Sequence, residues 1–191
     1  MLPLAPATTA LVVIDLQAGI VANKTAPHAA ADVVARSAAL AAAFRAKGGL
    51  VVLVTVDWHR NYVDATAQPT DIAAARAADG PAADFGAIVP ALGAEESDLR
   101  IVKRQWGAFH GTELDLQLRR RGITGIVLTG IATNMGVEST ARVGWELGYD
   151  LLFAEDAITS FTEEMHGFAM KAIFPRLGRV RSTREILAAL G

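Results

Sequence analysis

The chain has 191 residues, of which 52% are hydrophobic and 20% charged, and its formal net charge is -2. This length suits one domain spanning 1–191 without a linker, and the composition fits a folded protein with a substantial core rather than a disordered or fibrous chain. Scattered Lys and Arg make no basic field for phosphate backbones, so nucleic acid is not an expected partner, and the lack of cysteine excludes disulfides, thiolate metal sites and thiol nucleophiles.

No apolar run approaches the roughly 20 residues of a membrane span, and the start "MLPLAPATTA" lacks the basic and apolar regions of a signal peptide. A cytoplasmic location with no membrane partner is therefore expected.

In chain order, "ALVVIDL" (10–16) is the first apolar run, rich in the β-branched and aliphatic residues of a strand buried on both faces. A helical pattern follows over 28–47, ended by Gly48, and then a second strand, "GLVVLVTVD" (49–57). The segment 61–90 is rich in Ala, Asp, Gly and Pro without clear periodicity, and reads as a long excursion over the sheet, either a lid or contact segment or one without a role. Next come a short strand "LRIVK" (99–103), a helix over 112–121 ended by Gly122, and the strand "GIVLTGI" (125–131). The second half continues with a helix over 135–147 ended by Gly148, the strand "YDLLFAED" (149–156), a helix over 162–174, a short strand "GRVRS" (178–182) and a last helix over 183–190.

Three helix starts carry the S/T-x-x-D/E capping signature, at "TELD" (112–115), "SFTE" (160–163) and "STRE" (182–185). Alternating strands and helices predict a doubly wound α/β sandwich, whose ligand crevice lies beyond the carboxyl ends of the strands.

Three polar signals map to that crevice. Asp15 closes the first strand, Lys103 closes "LRIVK", and "TGIATNMG" (129–136) leaves the strand before the 135–147 helix. A carboxylate beside an ammonium favours both charged forms, and partial burial tunes either for proton transfer. On position alone, a turn-capping Asp15 and a structural ion pair at Lys103 explain the pattern equally well.

"VVIDLQ", "VKRQWGAFHGTELD" and "TGIATNMGVESTAR" occur in the order and spacing of the isochorismatase-like hydrolases, the cysteine hydrolase superfamily, which the chain resembles over nearly its whole length. It looks closest to the YecD-like branch, through "KRQWGAFHGTELDLQLRRRGI" and "IFPRLGRVRSTREIL". The resemblance implies a three-layer α/β/α, Rossmann-like sandwich with a six-stranded, mainly parallel sheet, and a small-molecule hydrolase.

In the amidase branches of that superfamily an Asp, a Lys and a nucleophilic Cys act together. The resemblance places the first two at Asp15 and Lys103, and puts Gly136 in the nucleophile column. Isochorismatases are similar in having glycine there, and hydrolyse a vinyl ether by protonation and water attack. By the same resemblance the N–H groups of Gly136 and of Ala132, after a cis Ile131–Ala132 bond, form an oxyanion hole. A helix-start glycine also opens space and exposes backbone N–H groups at the positive end of the dipole, although close helix–strand packing explains it as well.

Catalytic roles are thus expected for Asp15, Lys103 and Gly136, and substrate contacts for Ala132, Gln17, Trp106 and His110. Gln17 and Trp106 are chosen for proximity to the acid and the lysine, and fit core or rim positions equally. His110 lies in an "AFH" stretch similar to one after the lysine of isochorismatases, and also fits a packed corner. Ser139 and Thr140 lack a histidine base and are not taken as nucleophiles. "TAQP" (66–69) is similar to a substrate-side motif of isochorismatases, but falls too late after its strand and is taken as coincidence.

Asp57 and His59 in "VDWHR" resemble the Asp-x-His pair of nicotinamidase metal sites but lack the third ligand, so no metal is expected. Neither dinucleotide nor P-loop motif occurs, and no cofactor is expected. The expected partners are a small-molecule substrate and further copies of the chain in a homo-oligomer. The alternative reading is a non-catalytic ligand-binding or scaffold protein that has lost its nucleophile.

Overall fold

The computed structural model describes residues 4–72 and 76–191, so part of the 61–90 excursion lies outside the described residues. The elements run β1 (Thr9–Ile14), α1 (Ala18–Val21), α2 (Ala30–Ala46), β2 (Leu50–Val56), β3 (Leu99–Lys103), α3 (Leu114–Arg120) and β4 (Gly125–Ile131). They continue with α4 (Glu138–Glu146), β5 (Asp150–Thr159), α5 (Glu163–Phe168), α6 (Phe174–Leu177), β6 (Arg179–Arg181) and α7 (Thr183–Leu190). The strands form one six-stranded sheet in the order β3-β2-β1-β4-β5-β6, and every pairing is parallel. This is the expected three-layer α/β fold, with all six strands where the apolar runs put them.

Parallel strands require crossover helices, so both sheet faces are covered and alternate residues of one strand feed separate cores. Ala10, Val12 and Ile14 of β1 pack with Leu114 and Leu118 of α3, Ala141 of α4 and Phe174 of α6. Leu11 and Val13 face the other way, against Val33, Leu40 and Phe44 of α2 and Ile186 and Leu190 of α7. No helix among the described residues is long and apolar enough to cross a membrane.

Helix ends agree only in part with the capping signatures. Ser182 and Glu185 make the full reciprocal box at the start of α7, and Gly48, Gly122 and Gly148 take the left-handed conformation with φ of 69°, 66° and 83°. At α5 the cap is Thr162, whose side chain accepts from the Met165 N–H, because the Ser160 hydroxyl is used on Asn134 Oδ1 at 2.7 Å. At α3 the Thr112 hydroxyl donates to the Ala108 carbonyl and the helix starts after Glu113, so the predicted box does not form. Two helices read as continuous are interrupted by wide, π-type turns, at Thr133–Val137 before α4 and at Ala169–Ile173 between α5 and α6.

Gln17, expected at the pocket wall, is instead a fully buried clamp. Its amide donates to the carbonyls of Val56 (2.8 Å) and Phe85 (2.9 Å), and its Oε1 accepts the Val56 N–H at 2.8 Å. The side chain thereby bonds to the backbone of β2's last residue and stitches the excursion to the strand ends, with an antiparallel bridge between Gln17 and Ile88 alongside. Gln17→Leu leaves these groups without their partner at a fully buried position, and is expected to lower the unfolding free energy by about 2–4 kcal/mol in urea titrations.

Candidate active site

The sheet order reverses direction between β1 and β4, and the crevice of a doubly wound sheet opens at such a point. Asp15 follows β1, Lys103 ends β3 and Gly136 lies in the turn after β4, and the three positions expected to work together line one cavity there. Asp15 takes a left-handed φ of 55°, which Asp tolerates better than most residues, and its N–H still donates to Val54 O at 2.9 Å. Nearby Gly130, at φ 120°, lies so close to β1 that a Cβ would come within 2.0 Å of the Ile14 carbonyl oxygen. Only glycine allows that approach.

Lys103 Nζ donates to Asp15 Oδ2 at 2.7 Å, and both side chains are almost wholly buried, at 1% and 7% exposure. Asp15 Oδ1 has no hydrogen-bond partner among the described residues. Burial pushes the Asp15 carboxyl up to about 6, against the Lys103 charge and its hydrogen bond, which act to lower it. The result is a carboxyl poised near neutrality, with one oxygen tied to Lys103 and the other buried without a partner among the described residues.

Both residues face a cavity of about 460 Å³, which Ala132 and Gly136 also line. The Ile131–Ala132 bond is cis, as the resemblance implied. A Cβ added at Gly136 would lie 3.1 Å from Asp15 Oδ2, 3.0 Å from Ile14 Cγ2 and 3.4 Å from the Trp106 carbonyl oxygen. Position 136 therefore faces the carboxyl directly, and also packs closely on β1, so the two explanations of this glycine hold together. Trp106 lines the cavity as a rim residue, 60% exposed.

His110 does not reach the site. It is exposed and not among the lining residues; its carbonyl instead accepts from the Gln105 side chain at 2.7 Å, which shapes the corner before α3. Thr140 is buried and fully engaged, its hydroxyl donating to Gly136 O at 2.6 Å and accepting the Ala108 N–H at 3.1 Å. It ties the Gly136 turn to the corner rather than acting as a nucleophile.

Most of the wall comes from residues that sequence reasoning left unnamed. The excursion folds over the strand ends and supplies Tyr62, Thr66, Arg76 and Phe85, while Trp58 precedes it and Phe161 follows β5. Trp58 anchors this wall by donating its indole N–H to Arg104 O at 2.8 Å, and its ring lies 5.6 Å from Phe85 and 6.0 Å from Tyr62. Arg76 sits over the Tyr62 ring, and Arg104 pairs with Asp64 at 2.6 Å. Thr66 belongs to "TAQP", so the structure brings to the cavity a stretch whose spacing had argued against it. Apart from that stretch, the sequence signal for this wall was the unusual length of the excursion.

Asp57 and His59 are occupied locally. Asp57 Oδ1 accepts the Trp58 N–H, and the His59 ring meets Asn61 Oδ1 at 2.6 Å. A different trio converges elsewhere: His28, Glu155 and His166, drawn from segments too distant in sequence for any spacing rule to join them. Burial holds His166 below the usual imidazole range, although the Glu155 carboxylate acts to raise it.

Comparison with known proteins agrees with this geometry. Residues 9–185 match the isochorismatase domain. The chain is 54% identical to YecD, an isochorismatase family protein of Escherichia coli O157:H7, over the full length of both. It is 32% identical to the ureidoacrylate amidohydrolase RutB of Methylobacterium radiotolerans, covering 97% of this chain and 81% of that one. A solved isochorismatase family protein from Burkholderia thailandensis superposes with a TM-score of 0.94 at 44% identity, covering 100% of this chain and 99% of that one. The chain belongs to the isochorismatase family of hydrolases.

Proposed function

We propose that this protein hydrolyses a small vinyl ether of the isochorismate type, with Asp15 as proton donor and water as the attacking group. The observation that carries the reading is a buried carboxyl, poised near neutrality and paired with Lys103, that lines the cavity opposite Gly136 in a chain without any thiol. A protonated Asp15 gives its proton to the methylene carbon of the C=C–O unit, and water adds to the ether-bearing carbon of the resulting oxocarbenium ion. The water's proton returns to the Asp15 carboxylate. The hemiketal then collapses to a ketone and a free alcohol.

Lys103 holds the carboxyl through Oδ2 and steadies it while charged. The N–H groups of Ala132 and Gly136 serve as donors to oxygen where negative charge develops. Trp58, Tyr62 and Phe85 give an apolar wall for a ring, and Arg76, the lining arginine without a carboxylate partner among the described residues, suits a substrate carboxylate.

Hydrolysis of a small amide or ester by direct water attack is the second reading, favoured by the likeness to RutB. It needs the opposite state of the same group: a charged Asp15 that takes a proton from water, with the N–H pair holding a tetrahedral oxyanion.

The sign of the pH dependence separates the two. With a carboxyl at about 6, kcat/KM for a vinyl ether is flat at lower pH and falls about tenfold per unit above it, whereas for an amide or ester it rises up to that point and then levels. Assaying a panel of vinyl ethers, amides and esters across pH 4–9 reads the sign. Asp15→Asn is expected to lower turnover by about 10²–10⁴-fold with an unchanged far-UV CD spectrum; unchanged turnover removes the mechanism. Tight binding across the panel without turnover points to the non-catalytic reading.

Gly136→Cys tests the place of the nucleophile column. Its Cβ needs a few tenths of an ångström of give from Ile14 and Asp15, and its thiol is the only one in the chain. The folded variant is expected to gain amidase activity that iodoacetamide abolishes. Activity indifferent to alkylation contradicts the placement.

A further inference from the structure

β5 loses register with β4 midway: Leu128 faces Phe153, but Gly130 faces Ile158. The residues displaced from the ladder include two carboxylates that the bulge turns outward to new partners. Asp156 is consumed by structure, pairing with Arg36 and accepting from the N–H and hydroxyl of Thr183. Glu155 turns to two imidazoles, and the same Oε1 lies 3.1 Å from His28 Nε2 and 3.5 Å from His166 Nε2.

These three residues come from three elements, the segment before α2, the β5 bulge and α5, and their donor atoms all lie within 4.8 Å of one another. Metal–ligand bonds of 2.0–2.1 Å in a tetrahedral zinc shell put neighbouring ligand atoms about 3.3 Å apart, which the two measured separations bracket. The imidazoles are perpendicular, at 88° with centroids 5.5 Å apart, so neither ring stacks over the other.

Their positions are held by contacts away from the Nε2 atoms. The His28 carbonyl accepts from the hydroxyls of Thr25 (2.9 Å) and Thr159 (2.8 Å), and its N–H donates to Thr159 Oγ1 at 3.3 Å. His166 Nδ1 meets Oγ1 of the fully buried Thr133 at 2.9 Å. An imidazole fixed through one nitrogen by a protein oxygen, with the other aimed at a shared point, is how ligating histidines are oriented. Side-chain exposure of 23% at His28 and 39% at Glu155, against 5% at His166, leaves a route for an ion and for solvent as a fourth ligand.

We propose that His28, Glu155 and His166 form a divalent-metal site of the zinc type, completed by solvent and distinct from the Asp15–Lys103 cavity, whose lining includes none of the three. Its role is structural. Thr133, which orients His166, opens the wide turn that carries Gly136, so a bound ion fastens α5 and the β5 bulge to the turn that borders the cavity.

The test uses the full chain, freed of metal by a chelator and dialysed against zinc chloride, with metal content and thermal midpoint as readouts. One zinc per chain and a raised midpoint are expected. Glu155→Gln and His28→Gln, both at solvent-reachable positions, are each expected to weaken zinc binding by more than the roughly 10–100-fold typical of losing an outer-shell partner. Less than one zinc per chain in the unaltered protein, or equal affinity in the folded variants, overturns the proposal. The latter result assigns the ion to the remaining histidines, His59 or His110, and the former leaves Glu155 as a hydrogen-bonded bridge between two rings.

Discussion

The architecture of the site depends on one buried ion pair. Lys103 and Asp15 belong to β3 and to the end of β1, with β2 between them, so their 2.7 Å contact needs three strands in correct register. Val56 faces Lys103 across one pairing, and the Asp15 N–H reaches Val54 across the other. Removing two charges from water costs several kcal/mol each, and mutual attraction offsets this only in part. The remainder shows in the carboxyl, raised from 3.8 to about 6. A group raised in this way contributes stability fully below pH 3.8 and loses it as the pH climbs through 6, so the charged site sits in the folded state at a cost. Such costs are commonly concentrated where a protein does chemistry.

Around that pair the fold leaves open what a side chain elsewhere would fill. Gly136 keeps the space beside Oδ2 clear, Gly130 lets β4 approach β1, and the π-type turn after Ala132 places both residues expected to donate N–H groups on the cavity lining. Gln17 and Thr140 hold the surrounding backbone without touching the cavity themselves. The excursion then closes the mouth with aromatic surface. A rigid acid–base pair on strand ends, under a wall built by a long loop, separates the part that performs chemistry from the part that selects the substrate.

The strands were legible in the sequence because each rests on a short-range signal, a β-branched apolar run. Asp15, Lys103 and Gly136 were joined only by the resemblance to the isochorismatase-like hydrolases, since a polar residue at a strand's end fits a structural ion pair equally well. Gln17 was misplaced because a glutamine next to an acid looks the same whether it faces ligand or backbone, and only the positions of Val56 and Phe85 decide it. His110 was misplaced because a shared "AFH" string fixes a corner, not the direction of its side chain. Thr112 matched a capping box but found a nearer acceptor in the Ala108 carbonyl. The aromatic wall and the His28–Glu155–His166 trio were illegible, since both arise from chain crossings between segments with no periodic relation.

The chemistry rests on Asp15 being a buried carboxyl poised near neutrality while bound to Lys103. Side-chain carboxyl ¹³C NMR of the free protein, with Asp15→Asn to assign the resonance, reads this without any substrate. A midpoint close to 6, moving upward when Lys103 is replaced by Met, is the predicted result. A midpoint in the ordinary aspartate range, unmoved by the loss of Lys103, contradicts the account.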